Sequence, residues 1–471
     1  MEPLKLIFDI GKTNKKFFLF DKDYRIVFAD SIQFDEIKDE DGDKCDDLPK
    51  IKEWILEKWE TVSKDPAITL EAVNFTAYGA SMVHLDEHGE PLTPMYNYLK
   101  EYPERLREQF RNIHGDISIE TASPSLGMLN SGMQLYWLKF NKPELFRRIK
   151  YSLHLPNFLS YLLTKNAVTE YTSIGCHTSL WNFKKNKYHE WIEEENLQNI
   201  FPDVNKSAIN NKIQAGDSEV FVGNGVHDSS AALIPYLITN KEPFLLCSTG
   251  TWCITFNPFS NREITEDDLR RDCLYYMTTD GNPVKASRIF LGKEHEYQSS
   301  RIAKHFDLQP DFYKNFHFDK NLIEKLLVSG NQLNPAHLAN SGPVRLGSIE
   351  EWDLTAFDDH LSAYHQLILD LACLQKISID LSKEEMSAGD LFIEGAFSKN
   401  NIFLELLAAF YADLNLKVSA LKNTAALGAL LVLDSNHSGN IENINSDFTT
   451  IPHQPIEGLN KYWHNYWESK L

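Results

Sequence analysis

Pro243-Phe244-Leu245-Leu246-Cys247-Ser248-Thr249-Gly250-Thr251-Trp252-Cys253-Ile254-Thr255-Phe256 is the stretch that decides how this chain folds. An apolar run, a turn of small hydroxyl residues and a second apolar run predict two strands joined by a tight turn. Half a chain earlier the same arrangement occurs. Leu4 to Ile10 is apolar, Gly11-Lys12-Thr13-Asn14 is a turn, and Lys15 to Phe20 is apolar again. A further turn at Asp21-Lys22-Asp23 then leads to a third strand from Arg25 to Ala29. Two halves that each open on such a hairpin predict an internally duplicated α/β protein, with domains at 1–240 and 241–471. If the halves face each other, the two tips converge on a cleft, where backbone N–H groups and hydroxyls could clamp a chain of phosphates. A plain hairpin is the alternative for the first turn, which lacks the G-x-x-x-x-G-K of a Walker loop.

Between the two hairpins lies Gly225-Val226-His227-Asp228-Ser229-Ser230-Ala231-Ala232-Leu233-Ile234-Pro235-Tyr236. A turn passes there into a helix, and Asp228 falls at its N-cap. The helix dipole and unpaired N–H groups favour the ionised carboxylate, which can accept a proton from a substrate hydroxyl or serve as an ordinary cap. Ala72 to Tyr78 reads as a strand ending at Gly79-Ala80-Ser81. Strand ends in α/β proteins meet ligands, so Tyr78, Ser81 and Asn97 are candidates for substrate contact, with turn and packing roles as the alternative. Asp39 to Asp47 reads as a solvated acidic loop, and the region around Glu170 and Thr178 carries no legible chemistry. Leu361 to Leu381 is a long helix. Leu391 to Ile393 is a buried strand leading into Glu394-Gly395-Ala396-Phe397-Ser398-Lys399-Asn400 and a further helix, an order that suits a nucleotide and also any ordinary strand-to-helix turn. Gly428, in a small-residue helix, permits close approach of a ligand or of another helix.

Composition narrows the classes. With 471 residues and a net charge of −20, the chain is long enough for two or three cores and a poor fit to a phosphate-backbone surface, so no nucleic-acid partner is expected. No apolar run reaches the ~18 residues of a membrane span. The N-terminus lacks a signal-peptide apolar region. Six cysteines without a Cys-x-x-Cys pair suit reduced thiols in a cytoplasm.

These stretches resemble the FGGY family of carbohydrate kinases, part of the superfamily that holds actin and the large heat-shock chaperones. The likeness covers essentially the whole chain and implies two ribonuclease-H-like domains flanking a cleft. Asp9-Ile10-Gly11-Lys12-Thr13-Asn14-Lys15 resembles the family's first phosphate loop and Ser248-Thr249-Gly250-Thr251 its second. Gly225-Val226-His227-Asp228 is similar to G-x-x-D, whose Asp is the catalytic base. Gly395 to Asn400 resembles the adenosine motif G-G-G-S-x-N, with Ala396 and Phe397 in place of glycines, and Ala426-Leu427-Gly428 its downstream helix. The resemblance implies ATP and Mg²⁺. Gly11, Lys12, Thr13, Asn14, Thr249, Gly250, Thr251, Gly395, Ala396, Asn400 and Gly428 would hold the nucleotide. Asp9 and Asp228 would hold the metal, and Tyr78, Gly79, Ser81, Asn97, His227 and Asp228 the sugar. Ser81 stands where the rhamnulokinase and fuculokinase branches carry Asp, whereas His227-Asp228-Ser229 is similar to those branches and points to L-rhamnulose or L-fuculose. Another family substrate (xylulose, ribulose, gluconate or glycerol), an actin-like or chaperone-like interaction protein, and a silent sugar sensor are the alternatives. A homodimer is the oligomer to be tested for.

Overall fold

The computed structural model describes residues 2–216, 218–336, 351–434, 439, 441, 444 and 448–468. The chain forms two compact units: Met1–Thr239 with Tyr275–Pro283 and Lys422–Ser446, and Asn240–Leu274 with Val284–Leu421 and Asp447–Leu471.

In the first unit, β1 (Pro3–Ile10) pairs antiparallel with β2 (Lys15–Phe20), which pairs with β3 (Ile26–Ile32). On its other side β1 runs parallel to β4 (Thr69–Ala77), in register from Asp9 opposite Thr76 to Ile10 opposite Ala77. Beyond β4 lie the antiparallel pair β5 (Ile209–Ala215) and β6 (Ser218–Gly223), while the short β7 (Val226–His227) also runs parallel to β4. A strand covered on both faces reads as continuous apolar sequence, and β1 is of this kind: Leu6, Ile7, Phe8 and Ile10 are all buried. Phe8 stacks on Phe75 at 5.5 Å and meets Trp54 edge-on at 5.8 Å. Trp54 lies on α1 (Leu48–Ser63), which Asp47 caps by accepting from the Lys50 N–H. Helix α2 (Leu155–Thr164) adds Leu155, Phe158 and Leu159 to the same core.

The second unit repeats the scheme. Antiparallel β8 (Phe244–Thr249) and β9 (Cys253–Asn257) form the hairpin, and β10 (Pro283–Ile289) continues it as β3 does in the first unit. On its other side β8 runs parallel to β11 (Asp390–Gly395), followed by β12 (Asn415–Ser419) and β13 (Phe448–Thr450). The strand orders β3–β2–β1–β4–β6 and β10–β9–β8–β11–β12 correspond position by position. The duplication expected from the two hairpins is therefore present in the topology. The long helix spans His360–Lys383, and its Leu367, Leu371 and Leu374 are fully buried.

The acidic loop differs from expectation. Asp39, Asp46 and Asp47 are buried, because cations and N–H groups meet them. Lys100 lies 2.7 Å from Asp39 and 2.9 Å from Asp41, with its ammonium over the rings of Tyr96 and Trp137. Among the described residues no helix is long and apolar enough to cross a membrane.

Candidate active site

Parallel pairing of β1, β4 and β7 brings their carboxyl ends to one edge of the first sheet, the usual ligand edge of an α/β fold. Asp9 sits there on β1, and Asp228 opens the helix Asp228–Thr239 directly after β7. The sequence placed Asp228 at the cap, one position outside the observed helix, a shift within the ordinary uncertainty of helix ends. Burial pushes Asp228 up to about 6, against the pull of its hydrogen bonds from Ser229. Burial likewise pushes Asp9 up to about 6; Lys16, 3.9 Å away, opposes the shift and the charge of Asp228 adds to it. The two carboxylates thus feel each other. Both keep a partly open side chain, 14% exposed at Asp9 and 30% at Asp228.

Among the described residues, the hydrogen bonds to Asp228 all reach one oxygen. Oδ1 accepts from the Ser229 N–H at 2.6 Å and the Ser229 hydroxyl at 3.2 Å, and lies 3.4 Å from His227 Nε2. His227 is buried, and burial lowers it to about 3, so its imidazole is neutral. Cys176 Sγ lies 3.3 Å from the same Nε2, Thr172 Oγ1 accepts from the His227 N–H at 2.9 Å, and the Tyr276 ring centroid is 5.7 Å away. Gly79 closes this box, since a Cβ there would come within 2.6 Å of Nε2. Ala80 next to it has φ 56°, a left-handed conformation that non-glycine residues adopt at a cost and that clusters at functional sites.

A second cluster surrounds Asp46. It accepts from Tyr78 Oη at 2.7 Å, pairs with the Lys12 ammonium, and lies 3.5 Å from the buried Lys15. Lys12 also reaches Glu36 at 3.2 Å and faces the rings of Tyr78 and Tyr98. Asn97 Nδ2 donates to Glu36 at 3.4 Å. Tyr78, Asn97 and Lys12 are therefore brought together through Asp46 and Glu36. The Lys12 ammonium is turned to these carboxylates, and the turn itself offers Gly11, Thr13 and Asn14, with Gly11 N–H donating to Asn14 O at 2.9 Å. Ser81 is buried, and its carbonyl accepts from the Leu155 N–H at 3.0 Å. Gly428 is explained by packing, because a Cβ there would sit 1.8 Å from the Ala231 carbonyl oxygen, so the helix Thr424–Leu433 lies directly on the helix of Asp228.

In the second unit the same logic joins the other two motifs. Parallel register sets Thr249 beside Gly395. The Thr249 carbonyl accepts from the Ala396 N–H at 2.7 Å, while Thr249 Oγ1 accepts from the Phe397 N–H at 3.0 Å and donates to the Glu394 carbonyl. Gly395 has φ 86°, and a Cβ there would lie 1.9 Å from the Thr249 oxygen, so only glycine fits. Gly250 and Thr251 complete the turn. Past the Gly395 turn, a cavity of about 470 Å³ is lined by His295, Tyr313, Phe316, Tyr364, Phe397 and Asn400. Phe397 is mostly core, packed on Phe403 at 4.7 Å and His295 at 5.4 Å.

Asp46, Glu36, Cys176, Thr172, Tyr313 and Tyr364 have no local motif. Asp46 alone left a trace, as a member of the acidic run. A Mg²⁺ ion takes hard oxygen ligands and keeps several waters, binding through one or two carboxylates plus substrate phosphates. Asp9 and Asp228 fit such an ion, being oxygen donors that feel each other and stay partly open. No cluster of three or more ligating side chains occurs among the described residues.

Residues 4–234 match the N-terminal domain of the FGGY family of carbohydrate kinases, and residues 241–441 match the carbohydrate kinase FGGY C-terminal domain. A rhamnulokinase from Halalkalibacterium halodurans is 26% identical over 53% of this chain and 55% of its own length. A xylulose kinase from Lactococcus lactis is 26% identical over 39% of this chain and 38% of its own. The match thus spans about half the first relative's length and less of the second's. The crystal structure of a carbohydrate kinase from Novosphingobium aromaticivorans superposes with a TM-score of 0.83 at 23% identity, covering 100% of this chain and 98% of that one. With both domains matched in order and the two-domain fold reproduced, the chain belongs to the FGGY family of carbohydrate kinases, which are sugar phosphotransferases.

Proposed function

We propose that this protein transfers the γ-phosphate of ATP to a hydroxyl of a ketose, with Asp228 as general base. The observation that carries the reading is the Asp228 carboxylate itself. Among the described residues it is anchored through Oδ1 only, is raised to about 6 by burial, and interacts by charge with Asp9. Such a group is ionised at neutral pH yet more basic than an ordinary carboxylate, which suits proton abstraction. The sugar hydroxyl oxygen attacks the γ-phosphorus as its proton passes to Asp228, and the bond to the β-phosphate oxygen breaks to release ADP. Phosphoryl transfer asks the protein mainly for positioning and charge stabilisation. Asp9 and Asp228 would hold Mg²⁺, which neutralises charge on the phosphates when bound. The turns at Gly11–Asn14 and Thr249–Thr251 offer backbone N–H groups and hydroxyls to phosphate oxygens, and the Gly395 turn with its aromatic cavity takes the nucleoside. Tyr78, Gly79, Ser81, Asn97 and His227 belong to the sugar side. Six buried free thiols support a reducing, cytoplasmic setting.

For the acceptor we propose a 6-deoxy-ketohexose, L-rhamnulose or L-fuculose, on the His227-Asp228-Ser229 signature and the similarity to a rhamnulokinase. The similarity to a xylulose kinase favours a pentulose as the second reading. ADP release with Mg-ATP is measured against L-rhamnulose, L-fuculose, D-xylulose, L-ribulose and glycerol, beside Asp228→Asn. Turnover on one deoxyketose, lost in the variant, is expected. Turnover on D-xylulose alone replaces the sugar, and ATP binding without turnover on any acceptor points to a sensor.

A further inference from the structure

The cavity past the Gly395 turn is walled by rings, and two of them form a parallel stack. Tyr364, on the helix His360–Lys383, and Tyr313, in a turn closed by the Phe316 N–H donating to the Tyr313 carbonyl at 3.0 Å, have centroids 4.9 Å apart and planes 7° apart. Tyr364 is the inner member. It is 1% exposed, and its hydroxyl accepts from Asn400 Nδ2 at 3.0 Å and lies 3.0 Å from His295 Nε2. Tyr313 is the outer member and stays half-buried.

The other rings fix which face of Tyr313 is left. His295 lies 5.1 Å from Tyr313 at 88° and 5.9 Å from Tyr364 at 81°. Phe312 lies 5.4 Å from Tyr313 at 88° and 5.7 Å from Tyr364 at 81°. A ring over the outer face of Tyr313 would be farther from Tyr364 than from Tyr313 by nearly the whole 4.9 Å of the stack. Both rings are instead almost equally far from the two tyrosines, so they flank the stack from its sides. Phe316 meets the inner ring, 5.6 Å from Tyr364. Among the described residues no ring covers the outer face of Tyr313, a residue that lines the cavity. The aromatic of the Gly395 stretch offers no such face, because Phe397 is 4% exposed and packs on Phe403 and His295. A ring backed on one side and uncovered on the other suits a flat base, which binds aromatic side chains by offset stacking.

We infer that Tyr313 is the stacking platform of the nucleotide site: the adenine lies on its outer face and extends the Tyr364–Tyr313 stack by one ring. The inference rests on the nucleotide-binding reading above and assigns the base to a residue outside every motif. Calorimetric binding of Mg-ADP to the full chain tests it without knowledge of the sugar. Tyr313→Phe keeps the ring and is expected to bind within about twofold of the unsubstituted chain, whereas Tyr313→Leu is expected to bind about tenfold more weakly. Stacked chromophores lose absorbance, so the ultraviolet difference spectrum of the complex reads the contact itself. The adenine band of bound ADP is expected to lose intensity with the unsubstituted chain and with Tyr313→Phe, and to keep it with Tyr313→Leu at saturating ADP. A packing role for Tyr313 would not move that band. Undiminished affinity in Tyr313→Leu overturns the inference, and so does an equal loss in both variants, which would mean a contact through the hydroxyl. An adenine band of full intensity in the complex of the unsubstituted chain overturns it with no variant needed. In each of these cases ADP still binds, and the nucleotide-binding reading stands. Failure of the unsubstituted chain to bind ADP removes both.

Discussion

Asp228 could be a base or merely a helix cap, and stability separates the two roles. An ordinary capping carboxylate is stabilised by its helix, so its acidity is strengthened and its removal destabilises. Asp228 has the opposite shift, upward to about 6. Above that pH the native state bears the cost of a poorly solvated charge. Asp228→Asn removes the charge and keeps a capping side chain. Transfer is expected to fall by about 10²- to 10⁴-fold in the ADP-release assay, while the melting temperature at pH 8 does not fall. A fall in melting temperature with activity retained would make Asp228 a cap. Asp46 behaves differently, since it compensates the buried Lys15 ammonium, whose charge burial already disfavours. Asp46→Ala leaves that cation without its carboxylate, and urea unfolding of the first unit is expected to show a loss of about 3–5 kcal/mol. Asp228 was legible from local sequence because a cap and a turn are local features. The partners of Asp46 lie 31 to 34 residues away, and Cys176 meets His227 across 51, so neither contact could be read from spacing.

At the level of elements, the hairpins were the legible part. An apolar strand on each side of a Gly–Thr turn fixes a local pairing, and its recurrence half a chain later predicted the matching strand orders. The buried acidic loop was not legible, because composition signals solvation and only the tertiary placement of Lys100 and Lys12 reverses it. The glycine-poor stretch from Gly395 to Asn400, which resembles the adenosine motif, was legible in sequence but not in consequence. The structure shows that the first glycine does the indispensable work: Gly395 alone takes the left-handed backbone, whereas Ala396 has an ordinary helical conformation and Phe397 fills core. Gly395→Ala forces a Cβ against the Thr249 carbonyl and disturbs two hydrogen bonds that stitch the β8 and β11 turns together. The expected cost is about 2–4 kcal/mol, from left-handed strain and the lost bonds together. Weaker binding of ADP should accompany it by calorimetry. Ala396→Gly, at a position without such strain, should leave binding nearly unchanged.

Across the whole chain, the buried titratable groups of the first unit set a defined response to acid. His84, His154 and His227 are buried and lowered to about 4, 3 and 3, chiefly by burial. Each stays neutral in the native state below pH 6.5, where the unfolded chain takes up a proton, so each favours unfolding as the pH falls. Asp9 and Asp228, raised to about 6, act with the opposite sign: the native state takes up their protons below pH 6, while the unfolded carboxylates stay ionised until about pH 4. Between pH 6 and 4.5 these three imidazoles favour the unfolded state and these two carboxylates the native state, while the buried His189, lowered chiefly by burial, adds to the first side and the buried Glu170, raised chiefly by burial, to the second. The balance of about one proton predicts that the first unit loses about 1.4 kcal/mol per pH unit of acidification, read as the pH dependence of its urea unfolding free energy. Two substitutions move this slope in opposite directions. His84→Gln keeps a polar partner for Ser152, now 2.9 Å from His84 Nδ1, and removes one unfolded-state proton, so the slope should become nearly flat. Asp228→Asn removes one native-state proton, so the slope should roughly double. A slope unchanged in both variants would mean that these buried groups do not govern the acid response.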